Sequence, residues 1–173
     1  MHMRNHLNRT YLALAMLTVI AVLTMVEAQG GKTEKTVTSG RLSITIPKGW
    51  EQKRGELTFR TGKGTERARL ISVSEEPVAK GVTPQKQAKL LERTVLSLEG
   101  MSKVSETSTR IDGKPAHAIE FRLAREGRAP LRGEHITVPL KNSVVTVFWY
   151  VHESDWQKGR EEMERIVKTI RIK

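Results

Sequence analysis

The stretch "VVTVFWYV" (Val144–Val151) constrains the fold more than any other segment, because nearly every position in it is apolar or aromatic. Successive side chains of a β-strand point to opposite faces of the sheet, so a strand with this pattern must be covered on both sides. We therefore predict a central strand here, with further elements of the chain packed against each face of its sheet.

The stretch "VTPQKQAKLLERTVLSLEG" has the start and stop signals of an amphipathic helix. Thr83 is placed to cap its first turn, Pro84 suits the first helical position, and Gly100 follows its last apolar residue. One face is predicted to carry the apolar side chains that recur at helical spacing, which are Ala88, Leu91, Val95 and Leu98.

A second helix is predicted directly after the central strand. Ser154 and Gln157 have the spacing of a capping box, and Asp155 would lie in the first turn, where negative charge is favourable. The buried face is predicted from apolar residues three and four apart, which are Met163, Ile166, Val167 and Ile170.

The remaining segments alternate like half-buried strands. Asp112–Gly113 predicts a tight hairpin turn, because both residue types tolerate positive φ. Further strands are predicted at 42–46, 57–60, 68–75, around 119–123 and at 136–140. The order of strands and helices predicts an α+β fold, a three-layer α/β/α sandwich around a mainly antiparallel sheet.

The N-terminus has the three parts of a secretory signal peptide, with a cut after Ala28. Arg4 and Arg9 precede an uncharged stretch, Tyr11–Val26, and a polar segment follows. We predict a signal peptide over 1–28, a flexible leader over 29–40 and a folded domain over 41–173. An uncleaved anchor helix over 11–26 is the alternative. In both cases the domain is exported, to the periplasm or the extracellular space.

The charge favours anionic surroundings, since the formal net charge is +11. The basic residues are scattered and have no interleaved aromatic residues, so nucleic acid is an unlikely partner. An anionic membrane surface stays open as a partner, and the sequence gives no sign of an obligate oligomer. The chain has no cysteine, which excludes disulfides, a thiol nucleophile and a lipid-modified cysteine.

The strand that ends in "ITIPKGW" and the closing segment "DWQKGREEMERIVKTIRI" resemble the PsbP-like superfamily, and in particular bacterial envelope proteins related to DcrB. The resemblance rests on Pro47, Gly49 and Trp50, on the apolar residues of Met163–Ile170, and on Ile172 in a short final strand. It implies an α/β/α sandwich and an accessory or binding role without catalysis. Many bacterial relatives are lipoproteins, and the lack of cysteine departs from that pattern.

A metal site would need histidines and carboxylates to converge. The candidates on the predicted strands and their ends are His117, His135, His152, Glu120, Glu134 and Glu153. Their spacing matches no recognised metal motif, so we assign no metal ligand and no cofactor. A metal-dependent hydrolase that uses His135 and His152 remains the alternative function.

Catalytic residues are not assigned either. Ser154, His152 and Asp155 have the residue types of a triad, but neighbours on a strand-to-helix corner rarely reach its geometry. The acid pairs Glu75–Glu76 and Glu161–Glu162 are interpreted as solvated charges.

Three further features of the sequence are not assigned to a functional site. The Gly-rich loop Arg60–Glu66 is interpreted as a turn rather than an anion site. Core packing is predicted for Trp50, Trp149 and Trp156, although they have the chemistry to line an apolar pocket. The polar loop Arg125–Arg132 would form part of a site only if it bordered a cleft together with the histidines.

These observations favour an exported, non-enzymatic domain of the cell envelope that binds a protein partner or a small ligand. A structural envelope component, tethered by an uncleaved helix at 11–26, is a further alternative. The sequence does not name the ligand.

Overall fold

A computed structural model describes residues 34–61 and 68–173. The strands are β1 (Glu34–Ser39), β2 (Leu42–Pro47), β3 (Glu51–Gln52), β4 (Leu57–Thr61), β5 (Arg69–Pro77), β6 (Met101–Ile111), β7 (Lys114–Leu123), β8 (Leu131–Pro139), β9 (Ser143–His152) and β10 (Arg171–Ile172). The helices are α1 (Pro84–Leu96) and α2 (Trp156–Val167), and a 3₁₀ turn, Glu153–Asp155, precedes α2.

The strands form a seven-stranded sheet in the order β3-β4-β5-β9-β8-β7-β6 and a three-stranded sheet in the order β1-β2-β10. Each pairing is antiparallel. β9 lies between β5 and β8, and its side chains are buried on both faces. The predictions of an α+β fold, a mainly antiparallel sheet and a central strand at Val144–Val151 are therefore confirmed.

The two helices contact opposite faces of the large sheet. On one face, Thr137 of β8 donates a hydrogen bond to Glu92 of α1. On the other face, Trp149 of β9 stacks on Trp156 of α2, with 5.7 Å between ring centroids. Gly159 lets α2 approach the sheet closely, since a Cβ there would lie 2.8 Å from a methyl carbon of Val151.

The main apolar core lies on the α2 side of the large sheet. It joins β2, represented by the fully buried Ile44, to Phe59 of β4, Val147 of β9 and Met163 of α2. The three-stranded sheet therefore shares one core with α2 and the large sheet. Burial of these side chains supplies the main favourable free energy of folding.

The local signals at α1 and at the hairpin are confirmed. The Thr83 hydroxyl accepts a hydrogen bond from the Lys86 N–H at 3.3 Å and caps α1, with Pro84 at the helix start. Asp112 and Gly113 have φ of 49° and 74°, as a tight turn requires. Leu98, predicted on the buried face, instead lies beyond the helix end with 45% of its surface exposed.

Two other predictions about local structure are wrong. The flexible leader predicted over 29–40 contains β1, which pairs with β2 along its whole length from Glu34 to Ser39. Ser154 does not cap α2, because it lies inside the 3₁₀ turn and α2 begins without a side-chain cap. The predicted signal peptide over 1–28 and its cut lie outside the described residues and stay predictions.

Candidate functional site

An open cleft of about 400 Å³ lies between the β1–β2 hairpin and the β3–β4 hairpin. We call it the Trp50 cleft. Its lining residues are Glu34, Lys35, Val37, Ile46, Pro47, Lys48, Gly49, Trp50, Gln52 and Phe59.

The wall formed by Trp50 is held in place by its surroundings. β2 ends at Pro47, and Gly49 turns the chain with a φ of 94°, a conformation that favours glycine. The Trp50 indole N–H donates to Glu162 of α2 at 3.3 Å, and Glu162 also pairs with Arg69 of β5. The indole is therefore tied to α2 and β5, and the cleft is largely pre-formed.

The lining of the cleft combines apolar surface with a few charged groups. Val37, Ile46 and Phe59 are buried apolar residues, and Lys35 and Lys48 place two cations at the lining. Within the described residues, the lining includes one carboxylate, that of Glu34, and no histidine, serine or threonine. A concave apolar surface with a few polar groups is the usual form of a small-ligand site.

A second cluster lies beneath α1, and we call it the Glu92 cluster: Glu92, His117, Thr137 and His135. One carboxylate oxygen of Glu92 accepts from the Thr137 hydroxyl at 2.9 Å and from His117 Nδ1 at 2.8 Å. Thr137 is fully buried and His135 is 4% exposed. The contacts join α1 to β7 and β8, so this cluster fixes the helix on the sheet.

His135 is a buried imidazole that stays neutral at pH 7. Burial lowers the pKa of its imidazole to about 4, although the nearby Glu92 carboxylate opposes this shift. His135 of β8 lies opposite Phe148 of β9. His152 lies four residues beyond Phe148, about 13 Å further along β9. His117 and His135 therefore lie on neighbouring strands under α1, and His152 lies apart from them. In the described part of the chain, no three metal-ligating side chains converge.

The carboxylates proposed with these histidines contact arginines. Glu120 accepts from Arg132 Nε at 2.6 Å. Both carboxylate oxygens of Glu153 accept from Arg122 Nε, at 2.8 and 2.9 Å. The first pair joins the neighbouring strands β7 and β8, and the second joins β7 to the 3₁₀ turn that follows β9.

Glu134 has an unusual environment, because it lies directly opposite Glu120 on the neighbouring strand. Burial raises the pKa of the Glu134 carboxyl, Arg160 lowers it, and the charges of Glu164 and Glu120 raise it further. A raised carboxyl pKa occurs at active sites, but structural clusters of charge produce it as well.

Beside Glu134, the Trp156 ring is packed between other side chains. Arg132 lies 4.4 Å and Arg160 lies 5.5 Å from its centroid, and Trp149 stacks on it. Trp149 is fully buried, so the prediction of core packing is confirmed for this residue. Trp50 and Trp156 are partly buried and pack against the main apolar core, and Trp50 also lines the cleft.

The triad-like residues do not form a relay. Asp155 pairs with Arg69 at 3.1 Å, Ser154 is exposed in the 3₁₀ turn, and His152 is 5% exposed. The interpretation of the acid pairs as solvated charges is wrong for Glu162, which is half-buried and pairs with Arg69. Glu75 is exposed and pairs with Arg41 at the surface.

The two loops singled out in the sequence have different outcomes. Residues 62–67, most of the loop Arg60–Glu66, lie outside the described residues. The predicted loop Arg125–Arg132 ends earlier than expected, because Leu131 and Arg132 belong to β8. Neither this loop nor any of the three histidines lines the Trp50 cleft.

The sequence interpretation missed Glu92 and the cleft. Glu92 is the only acidic residue of α1, and it lies beside the apolar stripe rather than opposite it, which is a signal for a buried polar contact. The cleft has no comparable signal, because it is formed by two hairpins that are brought together only in the folded domain.

Comparisons with solved structures are consistent with this fold. Cyanobacterial PsbP (CyanoP) from Synechocystis sp. PCC 6803 is similar with a TM-score of 0.60 and 14% identity, over 87% of this chain and 99% of that one. LpqN, involved in cell envelope biogenesis of Mycobacterium tuberculosis, is similar with a TM-score of 0.58 and 10% identity, over 82% and 86%. A Pseudomonas aeruginosa protein of unknown function, described as a candidate regulator, has a TM-score of 0.54 and 17% identity, over 80% and 96%.

These likenesses show that the domain has the PsbP-like fold, as the resemblance in the sequence implied. No protein-family model and no curated protein matches the sequence. At this level of identity the fold is what is shared, and the relatives' activities are not carried over with it.

Neither described helix is long and apolar enough to cross a membrane. The apolar stretch Tyr11–Val26 lies outside the described residues.

Proposed function

We propose that the chain is an exported, non-enzymatic accessory domain of the cell envelope, in which a three-layer sandwich presents the Trp50 cleft to a ligand. The observation that carries the proposal is the cleft itself, with its buried apolar residues and its two lysines. This chemistry suits an amphipathic molecule or segment with an apolar body and a negative group.

The structural neighbours support an envelope role. LpqN is described as involved in cell envelope biogenesis, and PsbP shares the fold. The signal-peptide pattern at 1–28 is the reason to place this chain outside the cytoplasm.

The alternative of a metal-dependent hydrolase draws no support from the geometry. Its two proposed ligands lie on different strands: His135 is on β8 opposite Phe148, and His152 lies about 13 Å beyond Phe148 along β9. A metal ion needs its ligands within about 2 Å of itself. The tethered structural component differs from the main proposal in keeping the segment 11–26 and in having a structural role instead of a ligand.

Calorimetric titration tests the cleft with decanoate as the probe and decyltrimethylammonium as its cationic counterpart. We expect saturable binding of decanoate and much weaker binding of the cation, because Lys35 and Lys48 favour the anion. Replacing both lysines with glutamine should weaken decanoate binding about tenfold. The matched control is Lys53→Gln with Lys80→Gln, which changes the net charge equally at exposed positions outside the cleft lining.

Equal binding of the two probes, or equal loss in both double variants, would contradict a ligand role for the cleft. Fractionation of expressing cells and N-terminal sequencing of the recovered chain test export. A chain that stays in the cytoplasm with its first 28 residues intact would contradict the envelope assignment.

A further inference from the structure

The exposed face of α1 carries three cations and no acid. We call this the basic face of α1: Lys86, Lys89, Leu90 and Arg93, all exposed. Glu92, the only acidic residue of the helix, is turned inward and accepts hydrogen bonds from Thr137 and His117. Its charge is therefore engaged with the sheet and absent from the basic face.

Two exposed apolar side chains accompany the basic face of α1. Among the described residues, the large hydrophobic side chains that are exposed are Leu90 at 44%, Leu98 at 45% and Val104 at 46%. Leu90 belongs to the basic face and Leu98 follows the helix, whereas Val104 lies at the register shift of β6 between Lys103 and Ser105. The Met101 N–H donates to the Leu98 carbonyl at 3.0 Å and joins the helix exit to β6.

α2 provides an internal comparison. It carries three basic and three acidic residues, and Arg160 pairs with Glu164 at 2.8 Å on its own surface. In the described ranges, none of its large hydrophobic side chains is exposed. A mixture of acidic and basic residues is typical of a helix whose outer surface faces only water. The basic face of α1 differs from this, because it carries cations without acids.

We propose that the basic face of α1, with Leu98 beside it, docks the domain on an anionic phospholipid bilayer. Charge complementarity is the reason for this occupant, because three unneutralised cations on one helix face are attracted to anionic headgroups. The exposed apolar side chains enter the headgroup region, as on other basic amphipathic helices. The Glu92 contacts hold α1 on the sheet, so the basic face of α1 is already formed in the absence of a membrane.

A local fluorescence probe tests this docking directly. The chain has no cysteine, so Leu90→Cys provides a unique site for an environment-sensitive dye. With the chain in the form that cells produce, we expect a blue shift on vesicles of phosphatidylglycerol and phosphatidylcholine. We expect no shift on phosphatidylcholine alone and reversal at high salt. The same dye at Lys158→Cys, on α2, should not shift. Because the dye reports only on the surroundings of position 90, the test is valid whether or not the first 28 residues are removed.

Two triple variants with equal net charge separate this face from the overall charge. Lys86→Gln with Lys89→Gln and Arg93→Gln should weaken the vesicle-dependent shift by about two orders of magnitude in lipid concentration, at about fivefold per cation. The control is Lys158→Gln with Arg165→Gln and Lys168→Gln, three exposed positions of α2 and its end, and it should change the midpoint less than about fivefold.

The proposal is overturned if the Leu90 probe does not respond to anionic vesicles, or if the two triple variants lose the response equally. A response to soluble polyglutamate without a response to vesicles would identify an acidic protein as the partner instead, and would also overturn it. The decanoate titration uses a different surface, so docking can fail while ligand binding in the Trp50 cleft stands, and the reverse.

Discussion

The carboxylate of Glu92 on α1 accepts a hydrogen bond from the hydroxyl of Thr137 on β8 at 2.9 Å, although 45 positions separate the two residues in sequence. The Thr137 side chain is fully buried and the Glu92 side chain is 12% exposed. This bond joins α1 to the large sheet at one defined position. It therefore sets the orientation in which the basic face of α1 meets the surroundings.

Glu92→Ala should destabilise the domain by about 1–3 kcal/mol, because the buried hydroxyl of Thr137 loses its acceptor and cannot regain water. The measurement is the free energy of unfolding in urea. The variant should also weaken the fluorescence response of α1 to anionic vesicles, since the helix is less firmly placed.

A double-mutant cycle with Thr137→Val isolates the pair. Valine has the same shape as threonine and removes the hydroxyl, so the second substitution should cost less in the Glu92→Ala background than in the native chain. We expect a coupling of about 0.5–3 kcal/mol. Strictly additive losses would show that the bond contributes nothing to stability.

His135 should make the domain less stable in mild acid. Burial lowers the pKa of its imidazole to about 4, whereas an unfolded histidine has its ordinary value of 6.5. Below pH 6.5 the unfolded chain therefore binds a proton that the folded domain excludes. The stabilisation is fully present above pH 6.5 and is lost as the pH falls toward 4, by roughly 3 kcal/mol in total.

His135→Met is the control for this prediction, since methionine fills a similar volume and does not titrate in this range. Urea unfolding at a series of pH values should show a flatter profile between pH 6.5 and 4 in the variant than in the native chain. Parallel profiles would assign the acid sensitivity to other groups.

Much of the fold was predictable because its signals are local. The apolar run at Val144–Val151 predicts a central strand, and Asp112–Gly113 predicts the turn that the positive φ of both residues confirms. The cap of α1 by Thr83 also depends only on residues within one turn. These features need no information about distant parts of the chain.

The errors occur where tertiary contacts override local signals. The Glu153 N–H donates to the Pro130 carbonyl at 3.0 Å and its carboxylate accepts from Arg122, so the chain is held in a 3₁₀ turn where a capping box was predicted. β1 has a polar sequence and is a strand because β2 lies beside it. The Trp50 cleft depends on how two hairpins pack, which periodicity does not encode.

Ser154→Ala should leave stability within about 0.5 kcal/mol of the native value, because the side chain is exposed and caps no helix. A capping serine would cost about 1 kcal/mol on the same substitution. Urea unfolding distinguishes the two values. Any hydrolytic activity of the purified protein that disappears in this variant, with folding intact, would contradict the non-enzymatic proposal.

Asp112 should hold the C-terminal strand as well as the hairpin turn. Its carboxylate accepts from the Ile172 N–H at 2.9 Å, and β10 has only two residues paired with β2. Asp112 also has a φ of 49°, so most substitutions would change both the turn and the bond.

Two variants separate the turn from the bond, because glycine and asparagine both adopt a positive φ readily. Asp112→Gly removes the acceptor, whereas Asp112→Asn keeps an acceptor oxygen. We expect hydrogen exchange of the Ile172 amide to accelerate about tenfold in the glycine variant and to stay near the native rate in the asparagine variant, since one hydrogen bond contributes about 1 kcal/mol. Native-like protection in the glycine variant would mean that β2 pairing alone holds the C-terminus.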